Sequence, residues 1–89
     1  MHDSDFNRYE LAVLKALHSR KVYGKHHKSF DTVVHSCSVG PHDLGNVKEA
    51  IHSLLKKGLL VWYDKSRKAL QLSKKRSREI VDIISSNMF

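Results

Sequence analysis

Residues 43–72 read DLGNVKEAIHSLLKKGLLVWYDKSRKALQL, and two hydrophobic periods meet inside that stretch at Gly58. Before the glycine, Leu44, Val47, Ile51, Leu54 and Leu55 recur at intervals of three and four, so a helix over residues 43–57 turns one oily stripe inward. Asp43 stands where a cap or a first-turn acid is favourable, and Lys56 and Lys57 occupy the last turn, where cations suit the helix dipole. After the glycine the period changes to that of a strand. Leu59–Tyr63 and Ala69–Leu72 flank the polar DKSRK, which predicts a β-hairpin over residues 59–72.

Working outward, Phe6, Tyr9, Ala12, Val13, Ala16 and Leu17 share a helical face, and the spacing predicts a first helix over residues 1–19, capped by Ser4 or Asp5. Arg20 to Lys28 breaks that period and offers only Val22 and Tyr23 for burial, which suits a short extended piece followed by a turn. Ser29 then precedes Phe30, Val33, Val34 and Cys37, the apolar face of a second helix over 29–37. Residues 38–42 (SVGPH) make a turn by composition. At the other end Ser73 is placed to cap a final helix over 73–87, with Ile80, Val81, Ile83, Ile84 and Met88 as its apolar positions and Lys74, Lys75, Arg76 and Arg78 crowding its start. The pattern describes one mostly helical α+β domain spanning residues 1–89.

Sixteen Lys and Arg against nine Asp and Glu give a net charge of +7, unevenly spread. Residues 1–47 hold six basic and five acidic side chains, residues 48–89 ten and four. A short domain with so basic a C-terminal half points to a polyanionic partner, nucleic acid first. Seven cations, Lys65, Arg67, Lys68, Lys74, Lys75, Arg76 and Arg78, follow one another with no acid among them. Their mutual repulsion opposes folding, and opposing phosphates relieve it.

Function classes fall away on simple grounds. One cysteine, Cys37, allows no intramolecular disulfide, and the first residues have neither a basic leader nor an apolar signal core, so the expected location is cytoplasmic. The longest apolar run, Leu59 to Tyr63, is far short of the roughly 20 residues that a membrane helix needs. There is no glycine-rich phosphate loop and no GxSxG elbow, and the expectation is a protein without enzymatic activity or cofactor. His35, Cys37 and His42 lie near one another in sequence, yet their spacing fits no zinc pattern and no metal is expected.

The segments AIHSLLKKGLLVWY and DKSRKALQLS carry a resemblance to the winged-helix-turn-helix family: a third helix ends at a glycine, an apolar strand leaves it, and a basic loop precedes a returning strand. The likeness implies a winged helix, that is, a three-helix helix-turn-helix core, a hairpin wing and a C-terminal helix. It also implies a small transcription regulator that sets its third helix in the major groove of duplex DNA and its wing on the backbone or minor groove. Asn46, Glu49, His52, Ser53 and Lys56 would then face the DNA from the third helix. Asn46 suits adenine and Glu49 the cytosine amino group, while His52 and Ser53 suit bases or phosphates. Lys65, Arg67 and Lys68 would hold the backbone, with Lys74, Lys75, Arg76 and Arg78 beside them.

Each of these positions is equally what a solvated surface would show. Trp62 and Tyr63 alternate along a strand, so one faces the core and the other is available for packing or for stacking on an unpaired base. Winged helices also serve as protein-interaction adaptors or RNA-binding modules, and a fold does not fix a function. The apolar surplus of the last helix further suggests a homodimer.

Overall fold

Gly58 adopts φ 80° and ψ 10°, the left-handed conformation in which its N–H reaches back to the carbonyls of Leu54 and Leu55, and the chain reverses there. The computed structural model describes residues 6–24, 26–37 and 41–86. In these, α1 (Arg8–Ser19), β1 (Lys28–Ser29), α2 (Phe30–Cys37), α3 (Leu44–Lys57), β2 (Leu60–Asp64), β3 (Ala69–Leu72) and α4 (Ser77–Ser86) follow in order, with single 3-10 turns at Pro41–Asp43 and Lys74–Arg76. The architecture is mostly helical α+β, with four helices and a three-stranded antiparallel sheet of order β1-β3-β2.

The hairpin lies where the alternation of periods predicts it. Leu60 pairs with Leu72 and Trp62 with Leu70, and a bulge between Trp62 and Asp64 brings Asp64 opposite Ala69. Ala69, Leu70 and Leu72 are buried, as befits the central strand. Beyond its ladders, β3 is tied in by Leu72 N–H donating to the Val22 carbonyl and by the Lys68 carbonyl accepting from Phe30 N–H at 2.8 Å. That second bond fixes the start of α2 to the tip of the hairpin.

The strand β1 corrects one expectation. Lys21 at φ 53° and Gly24 at φ 60° make the turn first, and the extended residues come after it, at Lys28 and Ser29. Val22 is nonetheless fully buried in the loop, as its apolar character demands.

Boundaries moved where caps decided them. Asn7 caps α1 instead of Ser4 or Asp5, which lie outside the described residues: its side chain accepts from Glu10 N–H while the Glu10 carboxylate accepts from Asn7 N–H, a reciprocal capping box. The buried face is Glu10, Val13, Leu14 and Leu17, rotated away from the expected stripe so that Ala12 and Ala16 are only half-buried. Asp43 makes no side-chain cap on α3; its carboxylate instead accepts from the Tyr9 hydroxyl at 3.0 Å, linking α1 to the start of α3. Ser73 caps nothing either. Its N–H closes on the Leu59 carbonyl, the three basic residues that follow wind as a 3-10 turn, and α4 begins at Ser77 with Glu79 in its first turn. Cations are disfavoured at an α-helix N-terminus, and Lys74, Lys75 and Arg76 stay outside it, while Arg78 lies in the first turn of α4 beside Glu79.

Val47, Ile51 and Leu54 of α3 are fully buried, with Ala50 beside them, and the core continues through Val33 and Val34 of α2, Leu60, Leu70 and Leu72 of the sheet and Ile80 of α4. Ile83 and Ile84 belong to the same core. Of the apolar residues that suggested a dimer, Ile80, Ile83 and Ile84 are buried within the chain and Val81 is exposed, while Met88 lies outside the described residues. Among the described residues no helix is long and apolar enough to cross a membrane.

Candidate functional site

With its stripe turned inward, α3 presents Asn46, Lys48, Glu49, His52 and Lys56 to solvent. The hairpin lies alongside, and its loop Lys65–Lys68 is exposed throughout. Between them runs an open groove of about 480 Å³ in which Lys48 and His52 of α3, Trp62 of β2, Arg67 and Lys68 of the loop, Ser29 at the end of β1, and Phe30 and Asp31 at the start of α2 all meet. A second groove, lined by Glu49, Ser53, Leu55 and Lys56, shares His52 and Trp62 with the first. The outer side of α3 and the hairpin tip thus form one continuous surface.

The loop is shaped by its own residues. Asp64 accepts from the N–H and hydroxyl of Ser66, at 3.1 and 2.7 Å, and lies 3.6 Å from the Arg67 guanidinium. The Ser66 hydroxyl leads the contacts that hold the Asp64 carboxyl below its ordinary value. Lys68 closes the turn at φ 53°, a left-handed conformation that costs a residue with a side chain about 1 kcal/mol. Lys68→Gly should raise the melting temperature by about 4 °C or more, from roughly 1 kcal/mol of relieved strain, while weakening binding of a polyanion. An unchanged melting temperature would count against the strain.

No protein-family model matches the sequence, and neither a curated protein nor a solved structure gives a significant match. The site therefore rests on its own geometry.

That geometry divides the seven cations of residues 65–78 into two groups. Lys65, Arg67 and Lys68 sit at the hairpin tip. Lys74, Lys75, Arg76 and Arg78 follow the other end of β3, whose four residues span about 13 Å. The second group is not uniformly available. Arg76 donates to the Lys57 carbonyl at the C-terminus of α3 and grips Glu79 through two bonds of 3.0 and 2.8 Å. It neutralises the negative end of the α3 dipole, and a Cβ on Gly58 would come within 2.7 Å of its Nη1. Arg76 is a structural clasp, unlike the exposed Lys74, Lys75 and Arg78.

Ser53 is likewise engaged within the protein. It is half-buried and donates to Glu10 Oε2 at 2.7 Å, and Lys57 Nζ reaches the same oxygen at 2.8 Å. Glu10 is only 3% exposed, a carboxylate buried between α1 and α3. Burial acts on it most strongly and pushes its pKa up, but the hydrogen bonds from Lys57, Asn7 N–H and Ser53 outweigh that and hold the carboxyl below its ordinary value.

Lys48 escaped the sequence reading because only the residues opposite the apolar stripe were assigned to the outer face. Its spacing of four from His52 was the available signal: the two share an edge of α3, the one that meets the hairpin. Of the two aromatics, Tyr63 faces out and stacks on His27 at 4.2 Å, while Trp62 is half-buried and lines the groove. Cys37 is half-buried and its thiol is pushed up by burial, which makes it a poor nucleophile. Among the described residues no group of three His, Cys, Asp or Glu side chains is arranged to hold a metal.

Proposed function

We propose that this chain is a non-catalytic winged-helix domain that binds duplex DNA, as a small transcription regulator does. The helix α3 enters the major groove with Asn46, Glu49 and His52 toward base edges, and Lys65, Arg67 and Lys68 engage the backbone as the wing. The observation that carries this reading is the shared groove in which Lys48 of α3 stands with Arg67 and Lys68 of the hairpin. Helix and loop thereby offer phosphates one cationic rim instead of two separate ones. The 14 residues of α3 span about 21 Å, ample for a groove about 12 Å wide. Glu49 sits on the same face, where it repels phosphate but accepts from a cytosine amino group, so it favours base contact over backbone contact.

Fluorescence anisotropy with a labelled duplex at several salt concentrations tests the proposal. Five exposed cations on this face (Lys48, Lys56, Lys65, Arg67 and Lys68) set the expected slope of log K against log salt at about −4 to −5. A flat response overturns the proposal in favour of a protein-interaction adaptor. Displacement of the duplex by structured RNA, but not by a second duplex at equal concentration, would reassign the surface to RNA.

A further inference from the structure

Cations alone suffice to hold a phosphate backbone, yet the groove between α3 and the hairpin is also lined with rings. Phe30 and His52 lie 5.5 Å apart, tilted at 43°. Trp62 packs against the core and still lines the groove beside them. A volume of about 480 Å³ falls within the range of small-ligand sites. The cations Lys48, Arg67 and Lys68 line the same groove. A nucleotide combines a flat π face with an anionic group and so matches rings and cations together.

Resting on the nucleic-acid reading above, we propose that this groove takes one unpaired nucleobase together with its phosphate. Bases in an intact duplex keep their faces stacked on one another, so only an overhanging, bulged or free nucleotide can present one here. Asp31, exposed at the first turn of α2, orients the guest. Its carboxylate repels a phosphate and accepts from base amino groups, so the base edge turns toward Asp31 and the phosphate toward the lysines and Arg67. A base that is already unpaired spares the unstacking cost, which favours single-stranded junctions over continuous duplex.

Trp62 is the only tryptophan in the sequence, so tryptophan fluorescence reports on the surface that it lines between α3 and the hairpin. Three ligands are titrated into the full chain: a blunt duplex, the same duplex with a three-nucleotide single-stranded overhang, and guanosine monophosphate. The expected result is an overhang duplex bound about tenfold more tightly than the blunt one, from a single added stack, with Trp62 quenched by the overhang and not by the blunt end. Trp62→Leu should abolish the preference, the ratio of overhang to blunt-duplex affinity falling to about one whatever the variant does to duplex binding itself. Acrylamide quenching of the unaltered protein gives the same information without a variant, because a stacked base shields Trp62. Saturable quenching by the mononucleotide with none from the overhang makes a free nucleotide the guest. Equal affinity for the two duplexes, with Trp62 unaffected by all three ligands, overturns the pocket. Loss of binding to both duplexes would sink the DNA reading instead, and the mononucleotide arm would still report on the groove.

Discussion

Replacing Glu10 with glutamine should destabilise the domain by about 2–3 kcal/mol, although the two side chains are the same size. Glu10 binds three groups at once: Asn7 N–H on Oε1, and Ser53 Oγ and Lys57 Nζ on Oε2. Removing one partner of a buried ion pair typically costs about 3–5 kcal/mol, because the other charge is left without compensation. Lys57 keeps a third of its side chain in water, which places this pair at or below the lower end of that range. Marginal stability is the rule for domains of this size, so the loss is a large share of the whole. Urea unfolding at neutral pH measures it, and a change under 1 kcal/mol would mean that the pair is not what joins α1 to α3. The same group gives the domain an acid limb. The carboxyl of Glu10 is held below its ordinary value of 4.5, so its contribution is complete above that pH and is lost as the pH falls through the lower folded value. The carboxyl of Asp64 is lowered in the same sense at an exposed site. Glu10→Gln should therefore be less sensitive to acid than the parent chain, the two stability curves converging as the pH drops.

What the sequence made legible, and what it did not, follows from the range of the forces involved. The helix α3 and the hairpin were readable because burial repeats along the chain with a fixed period, and Gly58 marks the place where one period gives way to the other. Glu10 was missed because an acid within an amphipathic helix reads as a solvent-facing residue; its partners Ser53 and Lys57 stand 43 and 47 positions away, beyond any local pattern. A local trace did exist, since Asn7 followed three positions later by Glu10 is a capping-box signature. Arg76 reads as a ligand contact because Lys74, Lys75 and Arg78 around it are basic, while its role depends on a carbonyl at Lys57 that the sequence does not bring near. Lys48 was passed over for the converse reason: the helix period places it on an edge, and only the position of the hairpin turns that edge into the wall of a groove.

Removing the three cations of that wall together, Lys48→Ala, Arg67→Ala and Lys68→Ala in one chain, should separate binding from folding. All three side chains are exposed and none supports the core. Arg67 gives up one loose contact to Asp64, an exposed pair of the kind worth about 0–1 kcal/mol. Each lost phosphate contact lowers the salt slope by about one and weakens binding uniformly across sequences, so the slope should fall by about three. Affinity for duplex DNA at moderate salt should drop a hundredfold or more, since each contact carries close to a tenfold effect near 0.1 M. The companion variant replaces Lys74, Lys75 and Arg78, which remove as much charge from beyond the far end of β3. If net charge alone drew the DNA, the two variants would lose affinity equally. If the wall of the groove does, the first loses most of it and the second keeps a slope close to the parent's. Equal losses would leave a basic domain with no defined face, and α3 would then have no assigned place in the major groove.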